Sequence, residues 1–365
     1  SIGDDEIHNL LAICNEIFGE RNHLGTILWK TKTNGNNVGH IPSVHDFIVC
    51  YGKVASDSAL LGFPISEEYI ESTYKNPDCD PKGPWTTSDL SANHEGPLFE
   101  ITNPNTGKKY LPAKGRYWVF NEMEVKKRIE NGRIIFGKTG KSGPVQKKYL
   151  EERESARFKP ESWWDNHGLN SDGTTELAKI FEPKIFDHPK PTSLMKNIIN
   201  ISTTSNDLIL DFFAGSGTTC HGVFLQNAID SEKRRFIAVQ YPEIIDDKAI
   251  ANKNQGYKHI SDLTKERIRR ACKKIKEENP ESTNLDTGFR VLKIDSSNMN
   301  EVHYTPEAVS KGDLFNQVEH IKAERTAEDL LFQVMLESDV VLSLPISKQS
   351  IEGKDVYFVN ESEYG

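Results

Sequence analysis

Asp211 and the glycines Gly215 and Gly217, set in the string DFFAGSGTT, are the residues of this 365-residue chain best suited to ligand chemistry. A carboxylate followed by a short glycine turn suits a ligand that the backbone approaches closely, because glycine brings no side chain into the approach. The carboxylate can accept hydrogen bonds from an ammonium group or from an ordered water. A dinucleotide fingerprint needs a third glycine where Cys220 stands and an acid where Gln240 stands, so NAD is disfavoured. A phosphate-binding loop needs lysine after its last glycine, whereas Gly217 is followed by Thr218 and Thr219, so ATP is disfavoured too. A ligand with an amino acid moiety rather than phosphates remains, and S-adenosylmethionine fits. An aspartate and glycines that merely end a strand would give the same string, and this stretch alone does not separate the two.

The elements that must position these residues are legible around them. Leu208 to Leu210 is an apolar run ending on Asp211, the residues after Gly217 read as a helix, and Phe236 to Gln240 is a second apolar segment. Strand, turn, helix and strand make a βαβ unit, and ligands of open α/β sheets sit at the carboxyl ends of the strands. Upstream, Ile7, Leu10, Leu11, Cys14, Ile17 and Phe18 follow the helical period until Gly19, and GTILWK and HDFIVCYGK read as strands. SWWDNHGLNSDGTTELAKIF gives a loop and then a helix. FDHPKPTSLMKNIINIST places Pro189, Lys190 and Pro191 ahead of an amphipathic helix with Leu194, Ile198 and Ile199 inward. TKERIRRACKKIKEEN is a helix with a basic outer face. Beyond Arg290, strand-like FRVLKI, helical AEDLLFQVML and strand-like VYFVN form a small α/β module.

Length points to two or three domains. No stretch is apolar enough to span a membrane and no secretory signal is visible. The five cysteines lack any C-x-x-C pair, so neither a disulfide framework nor a metal site is expected; reduced thiols in a cytoplasmic protein are. Net charge is −9, yet from Lys108 to Lys159 fifteen Lys and Arg stand against six Glu. Basic residues concentrated in one segment are the footprint of a phosphate-binding surface, although EVKKRIENG within it reads as a solvated helix face. From Arg290 onward seven basic residues meet fourteen acidic ones, which excludes that segment as a major DNA surface.

DFFAGSGTT resembles the cofactor motif of amino-methylating DNA methyltransferases. SIGDDEIHNLLAICNEIFGERNHLGTILW, HDFIVCYGK, FDHPKPTSLMKNIINIST, RFIAVQYPE, KERIRRA and AEDLLFQVMLESDVVLSLPI match, in order, the modification subunit of type III restriction-modification systems. The resemblance implies an α/β fold: an incomplete Rossmann-like S-adenosylmethionine-dependent methyltransferase sheet, an inserted target recognition domain and a small carboxyl-terminal α/β module. The expected division is 1–53 and 161–280 for the catalytic domain, 54–160 for target recognition and 281–365 for assembly. It implies cofactor contacts at Asp211, Phe212, Phe213, Ala214, Gly215, Ser216, Gly217 and Thr218, with Lys190, Pro191 and Ser193 beside the methionine part and Gln240 where related enzymes hold the ribose. DNA contacts are expected at Lys114, Arg116, Lys138 and Lys141. The expected partners are double-stranded DNA, a restriction subunit and a second copy of the chain.

The implied reaction is methyl transfer to N6 of a flipped adenine; cytosine-N4 methylation and a non-catalytic DNA-binding fragment are the alternatives. Enzymes of this kind carry a D-P-P-Y type motif for the target amine, and no such tetrapeptide occurs here. The nearest string is Cys79-Asp80-Pro81-Lys82. In the family's order the motif precedes the segment with which this sequence opens. The expectation is therefore a carboxyl-terminal part of a longer subunit, inactive alone, whose catalytic residues are not in this sequence.

Overall fold

The apolar runs flanking the glycine turn form two strands, Leu208–Asp211 and Arg235–Ala238, paired in parallel from Leu208 opposite Arg235 to Asp211 opposite Ala238. They belong to a computed structural model that describes residues 1–35, 40–137, 140–153, 157–246, 256–280, 285–300 and 321–360. The chain divides into two units, Ser1–Asp286 and Thr287–Gly365. Helices described in the first unit are α1 (Ile7–Phe18), α2 (Glu67–Thr73), α3 (Glu122–Glu130), α4 (Asn170–Ala178), α5 (Thr192–Ser202), α6 (Thr218–Asp230) and α7 (Ile260–Glu278).

The crossover α6 is packed between α5 and α7. It buries Cys220, Val223 and Phe224; α5 contributes Leu194, Ile199 and Ile201, and α7 contributes Leu263, Ile268, Ala271 and Ile275. Each large apolar side chain so buried contributes about 2 kcal/mol of transfer free energy. Close approach of α5 to α6 requires Gly222, where an added Cβ would lie 3.0 Å from the Met195 Cβ. The strand pair is covered on one face only: Ile209 and Phe236 are half-buried, while Leu208, Leu210 and Ile237 on the other face are about half exposed.

A second sheet has His23–Lys30 at its centre, antiparallel to His45–Tyr51 and parallel to Trp163–Trp164. Its core is Ile27, Trp29, Trp164, Leu194 and Ile201, so α5 joins it to the glycine-turn unit. The Rossmann-like sheet expected from the sequence thus stands as two pieces with no ladder between them among the described residues. The strand at Trp163–Trp164 lies in a segment whose sequence reads as loop. Two residues are too short for a periodic signal, and the ladder is made by the distant Leu28 and Trp29. On α1 the expected period is present, but Ile17 and Phe18 remain exposed.

Between these pieces the chain leaves at Phe63–Pro64 and returns at Arg157–Phe158, and the two short strands pair antiparallel, so the ends of the excursion meet. The excursion has its own core of Leu90, Ile101, Trp118, Val125, Ile134 and Phe136. It holds an antiparallel sheet of Trp85–Ser88, Val145–Tyr149 and Ile134–Ile135, and α3, whose first turn is capped by Asn121 Oδ1 accepting from the Glu124 amide at 2.8 Å.

The second unit contains the helix Ala327–Glu337 and the hairpin Ile346–Ile351 with Lys354–Val359. The helix is closed by a capping box in which Thr326 and Asp329 exchange hydrogen bonds. Residues 289–294, FRVLKI, are irregular rather than the expected strand. Apolar residues of β-propensity make a strand only where a ladder partner exists, and among the described residues no named strand pairs with residues 290–294.

Candidate functional site

Asp211 ends its strand with both carboxylate oxygens engaged. Oδ1 accepts from the Phe213 amide at 3.0 Å and Oδ2 accepts from Thr219 Oγ1 at 2.5 Å. The residue therefore ties the strand end to the first turn of α6, and the acidic group is held at the rim rather than turned away. Gly215 and Gly217 have φ of +52° and +79°, the left-handed region that side chains disfavour. At Gly217 space is also short, since an added Cβ would lie 3.1 Å from Thr264 Cγ2. The Gly215 amide donates to Gln240 Oε1 at 2.7 Å, and its carbonyl accepts from Thr264 Oγ1 at 2.5 Å. The turn is thus braced from the next strand and from α7. Phe212 and Phe213, both exposed, meet edge to face with ring centres 5.5 Å apart. Ala214, Ser216 and Thr218 are buried.

The loop of Pro189, Lys190 and Pro191 lies across α4. Gly173 of α4 is the contact point: a Cβ there would stand 2.1 Å from the Pro189 carbonyl oxygen. Lys190 Nζ donates to Asp46 Oδ2 at 3.0 Å and sits 5.0 Å above the Trp29 ring. Pro191 precedes α5, and the first backbone donor of that helix, the Thr192 amide, is taken by Glu176 Oε2 at 2.8 Å. Ser193 Oγ donates to the His167 carbonyl at 3.1 Å. The His167 ring is stacked 4.2 Å from Trp164, and burial pulls its imidazole below the usual range. The Thr192 amide and the Ser193 hydroxyl are thereby committed to protein acceptors. Cys220 lies behind the turn, where burial pushes its thiol up to about 12, so it is a packing residue at neutral pH.

Trp29, Asp46, Glu176, Thr264 and Arg267 belong to this site and were not singled out from the sequence. No spacing signal marks them, because their partners are far along the chain. The helical phase of KERIRRA, which turns Ile268 inward, places Arg267 one position from the apolar face and offered the one available hint.

In the excursion, Lys114 and Lys141 are exposed, and Lys138 lies outside the described residues. Arg116 is held by protein acceptors: Nε donates to Ser91 Oγ at 2.8 Å, Nη1 to Asn93 Oδ1 at 3.0 Å, and Nη2 to Asp89 Oδ2 at 2.8 Å. It lines an open cleft of about 380 Å³ with Asp89, Tyr110, Leu111 and Pro144. The string nearest to D-P-P-Y is an ionic clip. Asp80 Oδ2 accepts from Lys147 Nζ at 2.5 Å and Tyr149 Oη at 2.8 Å, while Asp78 Oδ1 accepts from Trp85 Nε1 at 2.9 Å. Lys147 is buried between the two aspartates, and its hydrogen bond to Asp80, followed by that of the Lys82 amide to Asp80 Oδ1 at 3.0 Å, holds the Asp80 carboxyl down to about 2. Among the described residues no cluster of His, Cys, Asp and Glu could hold a metal, and no helix is long and apolar enough to cross a membrane.

Comparison with known proteins agrees on one family. The profile of the DNA methylase family, which covers N6- and N4-amino methyltransferases, matches residues 1–243. The chain is 33% identical over 296 residues to the type III restriction-modification enzyme StyLTI Mod subunit of Salmonella typhimurium, covering 80% of this chain and 44% of that one. It is 30% identical over 336 residues to the EcoP15I Mod subunit of Escherichia coli, with 80% and 49% covered. The type II methyltransferase M.KpnI of Klebsiella pneumoniae is 31% identical over 296 residues, with 73% and 67% covered. The chain spans about half the length of the type III relatives it matches. A solved PvuII cytosine-N4-specific DNA methyltransferase aligns at 15% identity over 47% of this chain and 67% of that one. Its TM-score of 0.18 carries no argument. With two thirds of its length under one profile and its glycine turn at the end of a parallel strand pair, the chain belongs to the DNA methylase family.

Proposed function

We propose that the chain is the cofactor-binding and target-recognition part of a type III modification subunit, an S-adenosylmethionine-dependent DNA methyltransferase acting on N6 of adenine. The observation that carries this reading is the braced glycine turn: Asp211 at the strand end, two glycines of positive φ, and Gln240 holding the Gly215 amide. When bound, S-adenosylmethionine supplies an activated methyl group. The chain's own residues bind and orient. Asp211 stands at the rim for the amino acid moiety, the backbone of Ala214 to Thr218 allows close approach, and exposed Phe212 and Phe213 offer apolar surface beside it. Lys190, Pro191 and Ser193 border the same region, and Gln240 presents a neutral amide toward the ribose side.

Residues 54–160 are the recognition domain in this reading, with Lys114, Arg116, Lys138 and Lys141 on the DNA side. Cations there supply affinity through phosphates while base edges supply sequence discrimination. A flipped adenine costs a few kcal/mol of unstacking, offset by contacts in the pocket. The acidic carboxyl-terminal residues serve assembly with a restriction subunit and a second copy. Isothermal titration of S-adenosylmethionine into the purified chain, beside Asp211→Ala, tests the cofactor assignment. Binding by the wild type and its loss in the variant is expected; a wild-type chain that binds nothing would overturn the assignment.

A further inference from the structure

Arg267 lies directly beneath the glycine turn and is fully buried, with no solvent exposure. It projects from α7 one turn beyond Thr264, whose hydroxyl holds the Gly215 carbonyl. Nη1 donates to Ser216 Oγ and to Thr218 Oγ1, each at 2.7 Å. Nε and Nη2 are buried and have no partner among the described residues. The partners it does have, these two hydroxyls and the Ser216 carbonyl at 3.5 Å, are all neutral. The carboxylate that acts on it most strongly, Glu176, already accepts the Thr192 amide. Of the buried titratable groups nearby, Cys220 keeps its proton, and His221 is held neutral, since burial and the Arg267 charge push it down to about 3.

A guanidinium out of water without a counterion is costly to keep, and removing it from solvent leaves its field unscreened. Burial pulls Arg267 down to about 10, so it stays charged at neutral pH. Its charge sits at the amino end of α6, a thirteen-residue helix whose unpaired amides and dipole already favour an anion. Two independent features of the same turn therefore favour negative charge, of which the Asp211 carboxylate, bonded to Thr219, supplies one at the strand end.

We infer that Arg267 is a positioning residue that makes the glycine turn a seat for a carboxylate, acting through Ser216 and Thr218 on the amino acid end of the ligand. This rests on the S-adenosylmethionine reading above and deepens it. The ribose and adenine make no use of this charge. The ligand's carboxylate is the group it selects.

The test compares two ligands by isothermal titration on the full chain: S-adenosylmethionine, which carries the carboxylate, and 5′-methylthioadenosine, which lacks the whole amino acid end. Arg267→Gln keeps hydrogen bonding to Ser216 and Thr218 but removes the charge, and Arg267→Lys keeps the charge. The expected result is that Arg267→Gln weakens S-adenosylmethionine about tenfold and leaves 5′-methylthioadenosine unchanged, while Arg267→Lys retains most of the preference. A merely structural role would weaken both ligands in proportion, and that result overturns the inference. So does a folded Arg267→Lys chain that has lost the preference, which decides the matter even if the glutamine variant does not fold. A wild-type chain that binds neither ligand overturns the cofactor assignment and this inference with it. Binding of 5′-methylthioadenosine with equal affinity for S-adenosylmethionine overturns this inference alone.

Discussion

Gln240 Oε1 accepts the backbone amide of Gly215 at 2.7 Å, so the side chain at the end of one strand braces the turn that follows its neighbour. A glutamine here is more than a neutral replacement for an acid on a ribose. Its amide nitrogen also donates to the Tyr241 carbonyl at 3.1 Å, a bond that a glutamate could not make. Gln240→Glu is therefore expected to keep the Gly215 contact and lose the second, whereas Gln240→Ala leaves the glycine amide without its partner. Urea unfolding of Gln240→Ala should show a loss of about 1 kcal/mol, with weaker S-adenosylmethionine binding. Unchanged stability and affinity would mean that the turn is held by Thr264 alone.

Gly173 supports the Lys190 loop in a different way, by having no side chain. With 2.1 Å between a would-be Cβ and the Pro189 carbonyl oxygen, and the contact being backbone, the loop itself must move to admit alanine. Overpacking of this kind costs about 1–3 kcal/mol. Gly173→Ala should lower the melting temperature and, because the loop carries Lys190, break its contact with Asp46. Loss of the ion pair would be visible as convergence of Gly173→Ala with Gly173→Ala/Asp46→Asn in stability. Additive losses would show that the loop had kept its place.

Much of the framework just described was legible in the residues. The strand, turn and helix around Asp211 were readable because an apolar run, two glycines and a helical period are local signals, and α5 and α7 announced themselves through the same period. The bracing of the turn was not. Thr264 and Arg267 reach Gly215, Ser216 and Thr218 across some fifty residues, and Lys190 finds Asp46 across 144. Hydrogen bonds of that separation leave no periodicity. The strand at Trp163–Trp164 and the irregular path of residues 289–294 have the same origin, since a ladder depends on what lies beside a segment. Asp80, compared with a catalytic tetrapeptide on sequence grounds, is ion-paired to Lys147, a partner that only the fold supplies.

The Lys147 clip gives a pH prediction with a definite sign. Hydrogen bonding from Lys147 first, and then from the Lys82 amide, holds Asp80 down to about 2, below an unfolded value near 3.9. A carboxyl depressed in the fold binds fewer protons than in the unfolded chain, so its contribution is whole above about pH 4. It drains away as pH falls toward 2. Acid unfolding of the wild type should therefore steepen through that window, and Asp80→Asn should flatten it. Lys147→Met strands two aspartates, one of them largely buried, and should cost about 3 kcal/mol. A variant as stable as the wild type would show that the clip is dispensable.

Lys114 and Lys141 differ from Arg116 in how far each is free to meet DNA. The two lysines are exposed, whereas the guanidinium of Arg116 is spread over Asp89, Ser91 and Asn93. A lysine on a phosphate contributes through counterion release, so its removal lowers the salt dependence of binding by about one unit of slope. Lys114→Ala/Lys141→Ala should therefore reduce the slope by about two with no change in melting temperature. Arg116→Ala should lower the melting temperature as well, because three polar partners lose their donor. If the lysine pair leaves the slope untouched while Arg116→Ala changes DNA affinity in a chain of normal stability, the roles are reversed. The DNA face would then lie along the Arg116 cleft, with the arginine released from Asp89 on binding.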